Sequence, residues 1–69
     1  MTQAPADRVR TLLLRADNVL KNEGDAADRA RRARSALEEA REIARDPTVE
    51  ERVRALVDRR LEALAALEG

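Results

Sequence analysis

The chain has 69 residues, which is room for one small domain with a single hydrophobic core. Charged residues make up 41% of it and apolar residues 43%, a mixture typical of helices that expose one face to water and unlike that of disordered chains. Its 14 basic residues balance its 14 acidic residues, so no field of the whole molecule attracts it to nucleic acid or to an anionic membrane.

Thirteen of the basic residues are arginine, which together with the many alanines is typical of a GC-rich bacterial coding sequence. No stretch approaches the roughly 20 apolar residues that a membrane-spanning helix needs, and the N-terminus lacks the apolar run of a signal peptide. We therefore expect no membrane association and a cytoplasmic location.

A first helix is predicted over about residues 5–22. Pro5 suits its first turn because the fixed φ is helical and the missing N–H needs no partner there. Gly24 is expected to end the helix as a left-handed cap. Apolar residues recur at steps of three and four, which places them on one face: Val9, Leu12, Leu13, Ala16, Val19 and Leu20.

A second helix is predicted over about residues 26–45, with Asp25 as its N-cap. Asp46 and Pro47 then interrupt the pattern. The apolar residues of this helix form a heptad seam made mostly of methyl groups, which lets another helix approach closely: Ala26, Ala30, Ala33, Leu37, Ala40 and Ala44.

A third helix is predicted over about residues 48–67, begun by a capping box of Thr48 and Glu51. Its apolar residues cover a face about 140° wide: Val49, Val53, Leu56, Val57, Leu61, Leu64 and Leu67. Both connections are short, and short connections make successive helices antiparallel neighbours. The sequence therefore predicts an all-α fold, an up-down-up antiparallel three-helix bundle with an alanine-rich second helix, in which residues 1–69 form one domain.

Residue types that most catalytic and metal sites require are missing. Histidine and cysteine are absent, so the usual triads, dyads and zinc sites have no ligands or bases. The two glycines are too few for a phosphate-binding loop, and the only serine, Ser35, lies mid-helix without a neighbouring base. Glu39 and Glu42 interleave with arginines as on an ordinary solvated helix face. We therefore expect no enzyme, no metal site, no cofactor and no small-molecule substrate.

Four arginines within six residues are the most conspicuous charged feature: Arg29, Arg31, Arg32 and Arg34. Their guanidinium groups are suited to phosphates or to a carboxylate-rich partner. On a helix, however, they point in different directions, and Asp25, Asp28 and Glu38 are spaced to pair with them. An anion contact and a solvated face are therefore the two interpretations. Nucleic-acid binding is disfavoured because no aromatic residue is present for stacking.

Two positions break the amphipathic pattern. Leu14 lies roughly opposite the apolar face of the first helix, which predicts either an ordinary exposed leucine or a contact with a partner or second copy. Arg60 falls within the apolar face of the third helix, where a charge must pair or reach the bundle edge. In the functional interpretation Arg60 binds an acidic residue of a partner at the rim of a groove, with Val57 and Leu61 as the apolar contacts.

Residues 33–47, ARSALEEAREIARDP, resemble the second helix and closing turn of a tetratricopeptide-type hairpin, in which small residues at seven-residue spacing pack between helices. The aromatic positions and the Leu-Gly pair of that repeat are absent. The plan of three similar helices, with Arg-x-Leu-Val-x-Arg-Arg-Leu over residues 54–61, is similar to that of microtubule-interacting-and-trafficking domains. Either resemblance implies binding of a short helical or extended peptide in a groove between helices.

The leading prediction for function is a noncatalytic module that binds a protein or peptide partner, or a second copy of itself as a homo-oligomer. The thin core favours such a role, because the second helix supplies only Leu37 and Ile43 as large apolar residues. The alternatives are a small nucleic-acid-associated regulator that uses the four arginines, and a structural helical subunit of a larger assembly.

Overall fold

The computed structural model describes the backbone of residues 3–68 and the side chains of residues 3–67. Three α-helices, and no strand, occur within this part of the chain: α1 (Pro5–Lys21), α2 (Ala26–Ile43) and α3 (Glu51–Glu68). The prediction of an all-α three-helix bundle is confirmed. The first two helices begin where the sequence predicts, whereas α3 begins at Glu51 rather than near residue 48.

The connection between α1 and α2 is a tight turn over residues 22–25. α1 ends where Asn22 adopts an extended backbone, with φ −71° and ψ 153°. Gly24, predicted as the cap that ends the helix, lies three residues after Lys21, and Asn22 is the C-cap instead. Gly24 has φ 137°, a region that favours glycine, so its conformational freedom serves the turn. Asp25 is the N-cap of α2, as predicted, and its Oδ2 accepts a hydrogen bond from the backbone N–H of Asp28 at 3.2 Å.

The connection between α2 and α3 differs from the sequence prediction. The prediction that Thr48 and Glu51 form a capping box is wrong. Asp46 Oδ1 instead accepts hydrogen bonds from the backbone N–H of Thr48 at 2.8 Å and from its hydroxyl at 2.6 Å. These two bonds, the hydroxyl first, hold the pKa of Asp46 below its ordinary value. A residue before proline avoids the helical region, so Asp46 and Pro47 favour a turn here and α2 already stops at Ile43.

The helices alternate in direction, so that α1 and α3 run the same way. The end of α1, the start of α2 and the end of α3 meet around Leu20, Ala26 and Leu64, and we call this the open end of the bundle. At the opposite end, the last turns of α2 lie beside the first turns of α3, with Arg41 near Arg54. We call this second region the closed end.

α2 is the middle helix of a flat arrangement whose Cα extents are 35 × 26 × 14 Å. It packs extensively against α1 and also against α3, whereas α1 and α3 touch each other little. The core is aliphatic, and none of the described polar or charged residues is buried in it. Its members are Val9, Leu12, Leu13, Ala16, Ala33, Ala36, Leu37, Ala40, Ala44, Val49, Val53, Val57 and Leu64.

Candidate functional site

A groove of about 740 Å³ lies between the helices at the open end of the bundle. Leu20, near the end of α1, and Leu64 and Leu67, near the end of α3, supply large apolar side chains to its walls. We call it the open-end groove. The first turns of α2 supply its remaining lining residues: Ala26, Ala27, Arg29, Ala30, Arg31 and Arg34.

The groove exists because the apolar residues in the first half of α2 are all alanine. The predicted alanine seam is buried at Ala33, but Ala30 is only partly buried and Ala26 is exposed. On the facing helix Leu64 is buried, whereas Leu67 is 77% exposed. Alanine side chains are too short to fill the space beside Leu67, so apolar surface that larger residues would cover stays open to solvent.

The open-end groove was not predicted from the sequence. Leu67 is part of the predicted apolar face of the third helix, and the alanines are part of the predicted seam, but nothing joined the two sets. The signal that identifies the groove is a difference in side-chain volume. The apolar positions of α2 up to Ala33 are all alanine, so in an antiparallel pair they cannot cover the leucines at the end of α3.

The four arginines predicted as an anion contact are divided among different roles. Arg29 turns back onto the end of α1, where its Nη1 donates hydrogen bonds to the carbonyl oxygens of Leu20 at 3.2 Å and Asn22 at 2.8 Å. These bonds satisfy carbonyl groups at a helix end, which otherwise lack partners. Arg29 is therefore a structural cap between two helices as well as part of the groove wall.

Arg31 and Arg32 share a single carboxylate. Asp28 Oδ1 lies 2.6 Å from Nη2 of Arg31, and Asp28 Oδ2 lies 3.1 Å from Nε of Arg32. Of the three carboxylates spaced to pair with the cluster, Asp28 does so in these two contacts. Arg31 and Arg34 both line the open-end groove, whereas Arg32 points elsewhere. Together with Arg29, three members of the cluster therefore line the groove.

Arg60 has an acidic partner within its own chain. Its Nη1 lies 2.7 Å from Oδ1 of Asp17, so the ion pair joins α3 to α1, two helices that otherwise touch little. The side chains are 44% and 28% exposed, and an ion pair at this exposure contributes below about 1 kcal/mol. The carboxylate that the sequence assigned to a partner is here supplied by Asp17.

The remaining predicted contact residues occupy three different environments. Leu14 is 63% exposed, as its position opposite the apolar face predicts. Leu61 is partly buried and packs against the core. Val57 is completely buried, so it is a core residue and not the surface contact that the sequence suggests. The structure thus does not bring Leu14, Val57, Arg60 and Leu61 together as one exposed site.

A smaller depression of about 440 Å³ lies at the closed end, between α2 and α3. Among its charged side chains, Arg54 donates a hydrogen bond to the carbonyl oxygen of Val49 at 2.7 Å, and four others form two pairs, Arg45 with Glu42 at 3.1 Å and Arg41 with Asp58 at 3.9 Å. Because these charges are exposed and already paired, the depression is a solvated charged surface and lacks the apolar walls of the open-end groove.

Within the described part of the chain, no group of three potential ligands is arranged to hold a metal ion. None of the helices described is both long enough and apolar enough to cross a bilayer. No protein-family model, curated protein or solved structure matched the chain. The resemblances to tetratricopeptide hairpins and to microtubule-interacting-and-trafficking domains stay predictions. The open-end groove is the feature of the molecule that bears on its function.

Proposed function

We propose that this chain is a noncatalytic protein-interaction module that binds its partner in the open-end groove. The observation that carries the proposal is the groove's combination of leucine walls, an alanine floor and an edge of guanidinium groups. A concave apolar surface with a few charged groups at its border is typical of sites that bind a partner by burying apolar side chains. We propose the cytoplasm as the location in which the module acts.

The dimensions of the groove favour a short helix as the bound element. From Ala27 to Arg34 the α2 edge is about 10 Å long, or roughly two helical turns. A helix lying along this edge presents apolar side chains at positions i, i+3 or i+4, and i+7 to the leucine walls, which is the usual mode of helix binding in a groove. The exposed side chain of Leu67 is the contact that such a helix would cover.

A structural role through self-association is the second candidate, and it is favoured by leucines that are exposed elsewhere. Leu14 and Leu56 are 63% and 40% exposed and lie outside the groove. A second copy that covered these leucines would remove apolar surface from water. The two candidates are distinguished by which exposed leucine is needed for association.

The test uses the full chain and peptides of about 14 residues, roughly four helical turns. A display library of helix-forming peptides with no charge bias is selected on the wild-type protein. Binding of recovered peptides is then measured by fluorescence anisotropy with wild type, Leu67→Glu and Leu14→Glu. Leu14→Glu is the matched control, because it makes the same change at another exposed leucine.

We expect Leu67→Glu to weaken binding at least about tenfold, because a charge then occupies an apolar contact surface, and Leu14→Glu to stay within about twofold of wild type. Circular dichroism should show unchanged helicity for both variants, since both leucines are exposed. Recovery of peptides that depend on Leu14 and not on Leu67 would show that the groove is not the binding site, and the proposal would be wrong.

A further inference from the structure

We infer that the partner of the open-end groove is an acidic amphipathic helix, with aspartate or glutamate side chains directed at the α2 edge. This inference rests on the proposed function and adds the chemistry of the partner. Three observations support it: the charge of the groove edge, the position of that edge relative to the apolar walls, and the accessible N–H donors of Arg31.

Arginines line one edge of the groove although the whole chain is neutral. Three guanidinium groups line the groove, and no carboxylate occurs among the described side chains that line it. Asp28 is the nearest described carboxylate in sequence, and it is shared between Arg31 and Arg32. Arg29 bonds only to uncharged carbonyl oxygens in the contacts described above, so Arg29, Arg31 and Arg32 together outweigh the one charge of Asp28. A partner with negative charge is attracted to such an edge.

Arg31 retains donors for a second carboxylate. Its contact with Asp28 uses Nη2, and its side chain is 76% exposed. A guanidinium group has five N–H donors arranged in a planar fork, which suits it to more than one carboxylate oxygen. Arg29 has a structural role, because its Nη1 donates hydrogen bonds to the end of α1 and holds that wall of the groove in place.

The cationic edge and the leucine walls lie on two sides of the groove. Arg31 and Arg34 are on α2, whereas Leu64 and Leu67 are on α3. A bound helix therefore meets leucines on one flank and guanidinium groups on the other. The matching sequence has apolar residues at i, i+3 or i+4, and i+7, with acidic residues on the neighbouring flank.

The experiment uses a library peptide whose binding depends on Leu67. Three versions carry Glu, Gln or Lys at the positions that flank the apolar stripe. Dissociation constants are measured by fluorescence anisotropy with wild type, with Arg31→Glu/Arg34→Glu, and with Arg52→Glu/Arg59→Glu. The last variant is the matched control, since it changes the net charge equally at exposed α3 residues that do not line the groove.

We expect wild type to bind the Glu version about threefold more tightly than the Gln version, as an exposed ion pair with Arg31 allows, and the Lys version most weakly. Raising the salt concentration should reduce this difference. Arg31→Glu/Arg34→Glu should reverse the order and favour the Lys version. Arg52→Glu/Arg59→Glu should keep the wild-type order, because the charge of the groove edge is unchanged.

The contrary results are separable. Equal affinity for the three versions, with the dependence on Leu67 retained, overturns the acidic partner and leaves the proposed function standing. Failure to recover any peptide that depends on Leu67 overturns the proposed function and this inference with it. If sedimentation equilibrium instead shows a dimer of the chain that Leu67→Glu dissociates, the groove holds a second copy, and the acidic peptide is the wrong partner.

Discussion

The two halves of α2 have the same spacing of apolar residues and different outcomes. In the half near the closed end, Leu37 lies between alanines and belongs to the same core cluster as Val53 and Val57 of α3, and its side chain is 2% exposed. In the half near the open end, Ala26, Ala27 and Ala30 meet Leu64 and Leu67 across the groove. Periodicity thus selects the face that points inward, while side-chain volume decides whether that face is sealed.

The largest effect is expected from shortening the leucine that seals the closed end. Leu37→Ala removes a side chain that is 2% exposed and should lower the free energy of unfolding by about 2–5 kcal/mol. Leu67→Ala is the matched control at the open end, and it should change the free energy by less than about 0.5 kcal/mol because Leu67 is 77% exposed.

Urea unfolding followed by circular dichroism measures both variants. Because a domain of this size has little stability to lose, Leu37→Ala should be largely unfolded without denaturant at 25 °C. If the two variants lost similar amounts of the free energy of unfolding, both halves of α2 would be sealed to the same extent, and the difference between the halves would be contradicted.

Enlarging an alanine should have opposite effects in the two halves. Ala40 is completely buried, so Ala40→Leu overfills the core and should cost about 1–3 kcal/mol. Ala30 is partly buried at the groove, so Ala30→Leu covers apolar surface of the groove and should be neutral or stabilising by up to about 1 kcal/mol. Thermal unfolding gives both values. A cost for Ala30→Leu equal to that for Ala40→Leu would mean that the groove has no room.

Much of the fold could be predicted because it depends on local spacing. Steps of three and four identify the buried face of α1. Pro5 marks a helix start through its own fixed φ, and Asp25 marks one through a hydrogen bond three residues away. The start of α3 could not be predicted in the same way. Thr48 has two possible partners within three residues, Asp46 and Glu51. Its side chain forms a hydrogen bond with Asp46 instead of capping the helix start.

The candidate site was harder to predict because its residues come from three helices. The partners of Arg29 lie at the end of α1, and the partner of Arg60 is Asp17, 43 residues away. Neither contact has a local signature. The burial of Val57 was not predicted for a related reason. The width of an apolar face does not show which of its residues the middle helix covers.

The arginine that caps α1 should matter for stability at the open end. Arg29→Ala removes hydrogen bonds to the carbonyl oxygens of Leu20 and Asn22 and should cost about 1–2 kcal/mol, because a charged donor at a partly buried helix end is lost. Arg32→Ala is the control from the same cluster and should cost less than about 0.5 kcal/mol, since its pair with Asp28 is exposed. Urea unfolding distinguishes the two, and equal costs would assign Arg29 to the solvated surface.

The smallest effect is expected at the connection beside the closed end, and it depends on pH. Hydrogen bonds from Thr48 hold the pKa of Asp46 below its ordinary value, so the folded state favours the charged carboxylate. The resulting stabilisation is fully present above the pKa of the unfolded chain and is lost as the pH falls through the lower pKa of the folded chain.

Asp46→Asn should therefore be less stable than wild type above about pH 5, and the difference should shrink below about pH 4. Unfolding of both proteins in urea across this range measures the difference directly. Thr48→Val, which removes the hydroxyl donor, should weaken the pH dependence of wild type in the same direction, and a difference that stays constant with pH would show that Asp46 does not act through its charge.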